Sequence, residues 1–372
     1  MKVVILIPGP DSARSAYLKA AELAVAEVNA HEGRQGLQLL LSLHTGDPLQ
    51  RKNMKDLRDL VSDKRVLLIM GKLPYGTILP VAGLAREKGI PFLAFPQDFI
   101  EAGPTGVEPQ NLFWMSPSPE SFQRAAVRLA AQFPQKKFYF LGRDSASGRA
   151  WGKYFWEELK RLKPDAEPAG EILLFGRVDN YGPYIQGILS AKTEACFSHL
   201  GPQEWPRFAK MARQQGYFQK VIHFELESGS LESLLALKKD MPEGVWGVTP
   251  FPFWALEGEE TRSFVSKFKE KMNAYPDLDA LSGYASIQAL VAAVKKAGSL
   301  APDKIMQGLE GLTFGTPVGP LSFRVTDHRV LWPIWGGSTR FVSGFAFPVL
   351  GDLKAFGPDS FYPGKTERKV EK

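Results

Sequence analysis

The sequence predicts a two-lobed α/β protein in which parallel sheets are covered by helices. Three observations predict it. The chain has 372 residues, more than one ordinary hydrophobic core accommodates. Short apolar, β-rich runs alternate with amphipathic stretches, an order that yields parallel strands joined by crossover helices. That rhythm pauses at Ser116 to Pro119 and then restarts as a second series.

In the first series, Lys2 to Ile7 reads as a strand, and Ala13 to Asn29 carries Tyr17, Ala21, Ala24 and Val28 at helical spacing. Leu37 to His44 is the next strand. Met54, Leu57 and Val61 mark a helix, and Val66 to Met70 is a strand closed by Gly71. A helix over Thr77 to Lys88 and a strand over Pro91 to Phe95 follow. In the second series, Phe122, Ala126, Leu129 and Phe133 lie on a helix before the strand Lys137 to Leu141, and Trp151, Phe155, Leu159 and Leu162 form the next stripe. Strands at Glu171 to Leu174, Ala195 to Leu200 and Lys220 to Phe224 alternate with helices around Tyr184 to Ala191 and Trp205 to Gln215.

After the strand Gly244 to Val248, the Pro-rich run Thr249 to Trp254 breaks regular structure. Helices at Glu260 to Asn273, Leu281 to Ala297 and Asp303 to Leu309 then return the chain to the first lobe. Gly319 to Arg324 and Leu331 to Ile334 are β-like. Gly351 to Lys372 reads as a polar tail whose last residues are expected to be loose. The expected division is 1–117 with 249–330 as the first lobe and 118–248 with 331–372 as the second. Repeated crossing between lobes suits a hinge that opens and closes about a trapped ligand.

Composition narrows the function. The net charge is +6, but the basic residues are spread along helices beside acids, with no basic block and no zinc-finger spacing, which argues against nucleic acid as a partner. Cys196 is the single cysteine, so no intrachain disulfide forms, and its apolar neighbours place it on a buried strand. Met1 to Pro8 is too short an apolar run for a secretory signal, and no run is long enough to span a membrane.

The familiar catalytic constellations are missing. The five histidines, His31, His44, His199, His223 and His328, are scattered, so neither a metal site nor a cofactor is expected. There is no Gly-x-Ser-x-Gly elbow and no Walker loop, and Pro8 to Pro10 stands where a dinucleotide fingerprint would follow the first strand. No catalytic residue is assigned. A binding protein is the expected class.

Open parallel sheets bind ligands outside the carboxyl ends of their strands. The loop Gly71 to Thr77 opens a helix there, and N–H groups near Gly76 and Thr77 suit a carboxylate, although either residue serves equally as a cap. Gln97, Asp98 and Phe99 follow the next strand, where Asp98 also fits a simple turn. Glu225 and Glu227 follow Phe224 and suit an ammonium group, or are solvated loop acids.

From Ile7 to about Trp335 the chain resembles the branched-chain amino-acid-binding (Leu/Ile/Val-binding) family of periplasmic receptors that serve ABC importers. The matching stretches are Ala20 to Asn29 (AAELAVAEVN), Thr45 to Pro48, Ile69 to Gly71, Glu87 to Phe92 (EKGIPF), Ala212 to Gly216, Glu243 to Val248 (EGVWGV), Gly283 to Leu290 (GYASIQAL) and Gly319 to Phe323. Their order and spacing carry the resemblance. It implies the type I periplasmic binding protein fold, two Rossmann-like lobes with parallel central sheets joined by a three-strand hinge. It also implies a ligand clamped between the lobes, delivery to a membrane permease, and a periplasmic or extracellular location with the signal peptide absent from these residues.

The family's ligand contacts fall here on Tyr75, Gly76, Thr77, Asp98, Phe99, Ser147, Gln203, Glu225 and Tyr284. The family's small hydroxyl contacts are partly replaced by Tyr75 and Phe99, and Ser147 stands where a tyrosine is usual. The resemblance therefore implies a small amino acid or an apolar or aromatic carboxylate. Two other roles stay open: a cytoplasmic or membrane-linked ligand sensor of the same fold, and an enzyme using Asp98 and Glu225 as acid and base.

Overall fold

The computed structural model describes residues 1–32, 37–97, 109–201 and 203–361. These form two compact units, the first from Met1–Pro117 and Ala255–Trp332, the second from Ser118–Trp254 and residues 333–361. In chain order the first unit contributes β1 (Lys2–Leu6), α1 (Ala16–His31), β2 (Leu40–His44), α2 (Arg51–Leu60), β3 (Val66–Leu73), α3 (Tyr75–Glu87), β4 (Phe92–Pro96) and β5 (Leu112–Trp114). The second contributes α4 (Pro119–Ala131), β6 (Lys137–Arg143), α5 (Ala146–Leu162), β7 (Glu167–Leu174), α6 (Gly182–Ser190), β8 (Ala195–Ser198), α7 (Trp205–Gln214), β9 (Ile222–Glu225), α8 (Leu231–Leu237) and β10 (Trp246–Thr249). The first unit then adds α9 (Glu259–Met272), α10 (Leu278–Ala297), α11 (Pro302–Leu309), β11 (Thr313–Phe314), β12 (Leu321–Phe323) and β13 (Val330–Leu331). The second closes with β14 (Ile334–Arg340) and β15 (Val349–Phe356).

The first unit's main sheet runs β2-β1-β3-β4-β5, all parallel, and β11 to β13 form a small antiparallel sheet. The second unit's sheet runs β15-β14-β10-β9-β8-β6-β7. Its parallel part, β7-β6-β8-β9-β10, repeats the order of the first sheet, with the antiparallel pair β14 and β15 added at one edge. In each sheet the strand order reverses once, between β1 and β3 and between β6 and β8.

Apolar periodicity explains the packing. Trp151, Phe155 and Leu159 recur every four residues on α5 and are buried. Phe155 stacks on Phe197 of β8 at 4.6 Å between ring centres. Each such fully buried side chain contributes about 1.5–3 kcal/mol. Val4, Ile69, Ile78, Val81 and Phe92 make the corresponding core beneath β1, β3 and β4. Among the described residues no helix is long and apolar enough to cross a membrane.

Some boundaries differ from expectation for physical reasons. The strand expected from Leu37 starts at Leu40, because the Asn29 side chain takes both the N–H and the carbonyl of Leu39, at 2.8 and 2.9 Å. The first unit resumes after Trp254 rather than Val248, since Trp254 donates to the Leu350 carbonyl at 2.8 Å and holds its run on the second unit. Part of the supposed polar tail is β15, an edge strand whose solvent face hides its alternation. The expectation for the last residues lies outside the described ones.

Behind β8 and β9 the second unit buries a continuous polar chain. Tyr217 lies 3.0 Å from His223 Nδ1, and His223 Nε2 lies 2.8 Å from the Ser198 hydroxyl, which donates to Glu225. Burial pushes the His223 pKa down to about 3, so the ring is neutral, and a proton on Nε2 orders the chain from Tyr217 through His223 and Ser198 to the Glu225 carboxyl group. The thiol of Cys196, buried on β8 as expected and pushed up to about 12 by desolvation, meets Tyr217 at the other end. Burial likewise pushes Glu225 up to about 8 and Glu227 up to about 7.

Two predictions follow from this packing. A Cβ at Gly283 of α10 would lie 2.1 Å from the Tyr17 carbonyl oxygen, whereas one at Gly187 of α6 would meet nothing within 4 Å. Gly283→Ala is expected to lower the urea unfolding free energy by about 1–3 kcal/mol, and Gly187→Ala to raise it by up to about 1 kcal/mol. Equal effects would deny the close approach. The second concerns pH: between the ordinary histidine value of 6.5 and about 8, native Glu225 holds a proton that the unfolded chain has lost, so stability falls as pH rises. Below 6.5 the trend is opposed, because unfolded histidines gain protons that His223 and His199, the latter lowered by burial to about 4, refuse. Melting temperatures of Glu225→Gln across pH 6.5 to 8 should decline less steeply than wild type, with Glu227 supplying the residual slope; an unchanged slope would place the titration elsewhere.

Candidate functional site

Helices cover both faces of a parallel sheet, so a ligand reaches it only past the strands' carboxyl ends, where a reversal of strand order parts the neighbouring loops. In the first unit this is the region after β1 and β3. Pro74 ends β3, and α3 starts at Tyr75 with no side-chain cap on its first turn. Half-buried Tyr75 stacks on Trp114, the last residue of β5, at 5.8 Å and 18°. The Arg329 guanidinium sits 4.9 Å from the centre of the Trp114 ring, so ring, ring and cation form one layer.

Gly76 is exposed in the first turn, with open space where a Cβ would be. Thr77 is buried, and its hydroxyl donates to the Pro74 carbonyl at 2.7 Å, so it fastens the turn. Lys72, at the end of β3, is paired with Asp279 at the start of α10. Asp98 and Phe99 lie outside the described residues.

In the second unit the reversal lies between β6 and β8. Ser145 caps α5 by accepting from Gly148 N at 3.0 Å, and Ser147 is 2.9 Å from the Ser145 hydroxyl. Gly148 is required there, since a Cβ would fall 1.8 Å from the Arg143 carbonyl oxygen. A cavity of about 730 Å³ opens beside this turn, lined by Arg143, Arg177, Gly201, Gln203, Glu204 and Arg207 among others. Gln203 is exposed at its edge. Arg143 donates to Glu204 at 3.0 Å, Arg207 to the Val178 carbonyl at 3.1 Å and Arg177 to Asp179 at 2.8 Å.

Two expected contacts have partners within the protein. Glu225 is fully buried, and its carboxyl group is engaged by Ser198, by Leu200 N at 3.3 Å and by Glu227 N at 3.2 Å. Tyr284 lies inside the helix layer, its hydroxyl donating to Glu27 of α1 and its ring 4.6 Å from Phe264 of α9. Periodicity along one helix cannot reveal such a partner from another. Trp114, Arg329, Arg143 and Arg207 were not singled out from the sequence; the position of Arg143 just after the strand over Lys137 to Leu141 was the available signal.

A larger groove, about 910 Å³, runs along α2 past Leu49, Met54 and Pro80, on the helix face rather than at the strand ends. Among the described residues no three His, Cys, Asp or Glu gather to hold a metal.

Comparison with known proteins agrees with this fold. Residues 8–337 match the family described as periplasmic binding protein. A leucine-, isoleucine-, valine-, threonine- and alanine-binding protein of Pseudomonas aeruginosa is 27% identical over 210 residues, 50% of this chain and 55% of that protein, so the match spans about half of the relative's length. An ABC-type branched-chain amino acid transporter of Rhodopseudomonas palustris superposes with a TM-score of 0.76 at 19% identity, covering 99% of this chain and 100% of the other. An ABC transporter solute-binding protein of Rhodopseudomonas palustris in complex with 3,4-dihydroxybenzoic acid gives 0.71 at 19% identity, covering 96% and 97%. The chain belongs to the periplasmic binding protein family, a binding protein with the type I fold and not an enzyme.

Proposed function

We propose that the chain is the extracytoplasmic receptor of an ABC importer, handing a small amino acid or an apolar or aromatic carboxylate to a permease in the membrane. The observation that carries the ligand class is the Tyr75–Trp114 stack at the uncapped start of α3. The half-buried Tyr75 ring, backed by buried Trp114, sets an apolar surface beside backbone donors and the positive end of a helix, which together suit a small solute with an apolar body and an acceptor oxygen. The amino acids named for the Pseudomonas relative and the dihydroxybenzoic acid held by the Rhodopseudomonas protein both fall within that chemistry.

Native mass spectrometry of the purified protein, with a thermal-shift screen of amino acids, aromatic acids, amides and short peptides, tests the reading. A bound solute present at about 100 times its Kd should add roughly 2.7 kcal/mol of stability and be recovered unchanged. Tyr75→Ala should weaken that solute about tenfold through loss of the ring contact. Binding confined to sugars or polyamines, or conversion of the solute to product, would overturn it.

A further inference from the structure

We infer that the cavity at the β6/β8 reversal holds an oxyanion of the solute, and that the solute is an organic acid without an ammonium group. This deepens the receptor reading above and rests on it. The second unit brings three guanidinium groups, Arg143, Arg177 and Arg207, to one cavity of about 730 Å³ whose lining includes a single carboxylate, that of Glu204. Arg143 comes from the end of β6 and the Gly201 to Glu204 turn from beyond β8, so the cavity occupies the place where a doubly wound sheet receives its ligand.

The arginines are held but not used up. Arg143 donates to Glu204 from one end of its fork, at 3.0 Å, and its side chain stays 32% exposed. Arg207 is braced by the Val178 carbonyl at 3.1 Å and Asp179 at 3.8 Å, and Arg177 by Asp179 at 2.8 Å. Planar guanidinium forks braced in this way match a carboxylate through paired donors.

An ammonium group would need the opposite arrangement. The acid at the end of β9, Glu225, is enclosed and bonded to Ser198, Leu200 and Glu227, and Glu204 is committed to Arg143. Three guanidinium groups against two carboxylates, Glu204 and Asp179, leave a net positive charge that repels a second cation and attracts an anion.

Matched compounds isolate the ammonium: 3-phenylpropionate against phenylalanine, 4-methylpentanoate against leucine, and glutarate against glutamate. Calorimetric titration of the full chain should show at least one acid binding about tenfold or more tightly than its amino acid partner, with glutarate's second carboxylate separating a diacid from a monoacid site. Arg143→Gln should weaken that acid by about tenfold. Glu204→Gln, which releases Arg143, should leave its affinity equal or stronger, a direction that general damage to the fold does not produce. Tighter binding of the amino acid in every pair, or Arg143→Gln without effect on the acid, overturns the inference while the receptor reading stands. No binding by any pair or by the wider screen overturns both.

Discussion

The candidate region of each unit depends on one constraint, the strand order that the two parallel sheets repeat. A parallel sheet needs helices on both faces to bury its strands, which leaves backbone donors and loop side chains exposed only past the strand ends. Because β1 and β3, and again β6 and β8, send their chains in opposite directions across the sheet, the loops above them part. Tyr75 and Arg143 are functional candidates because they sit at these two partings. A tyrosine or arginine of identical exposure on α2 would carry no such meaning.

The second unit also illustrates how a fixed electrostatic preference is built. A carboxylate placed on the end of β9 could have faced outward to hold a cation. Instead Ser198 engages it, and His223 and Tyr217 continue the chain inward, where low dielectric makes the charged form unfavourable. The acid becomes part of the core, and the outward chemistry is left to Arg143 and Arg207. The aromatic rings of Trp205 and Phe208 stack against His223, each at 5.3 Å, and fix the ring that transmits this orientation.

Much of the fold was legible in the sequence because helix stripes and buried strands carry their own periodicity. Trp151, Phe155 and Leu159 announce α5, and the strands over Lys137 to Leu141 and Ala195 to Leu200 fall on β6 and β8. What escaped lacks a local signal. β5 is three residues long, and β7 begins at Glu167 in a polar stretch whose register is supplied by β6. The site was legible only as a set of loops. Tyr75 lies at the start of α3, but its partner Trp114 comes from 39 residues further on and Arg329 from just before β13. Arg143 and Glu204 are 61 residues apart in sequence, and no spacing rule connects them. Glu225 shows the reverse difficulty, since a position in the chain does not reveal which way a side chain turns.

That last point bears on how specificity changes within a fold. Discrimination between an acid and the corresponding amino acid is a difference of free energies, and it is set as much by what a site repels as by what it attracts. In the reading proposed above, a Glu225 enclosed in the core adds no attraction for an ammonium group, and guanidinium groups at the β6/β8 reversal add a repulsion. Either feature alone would shift the preference modestly. Together they act on the same charge in the same direction, while the strand order and the core that create the cavity stay as they were.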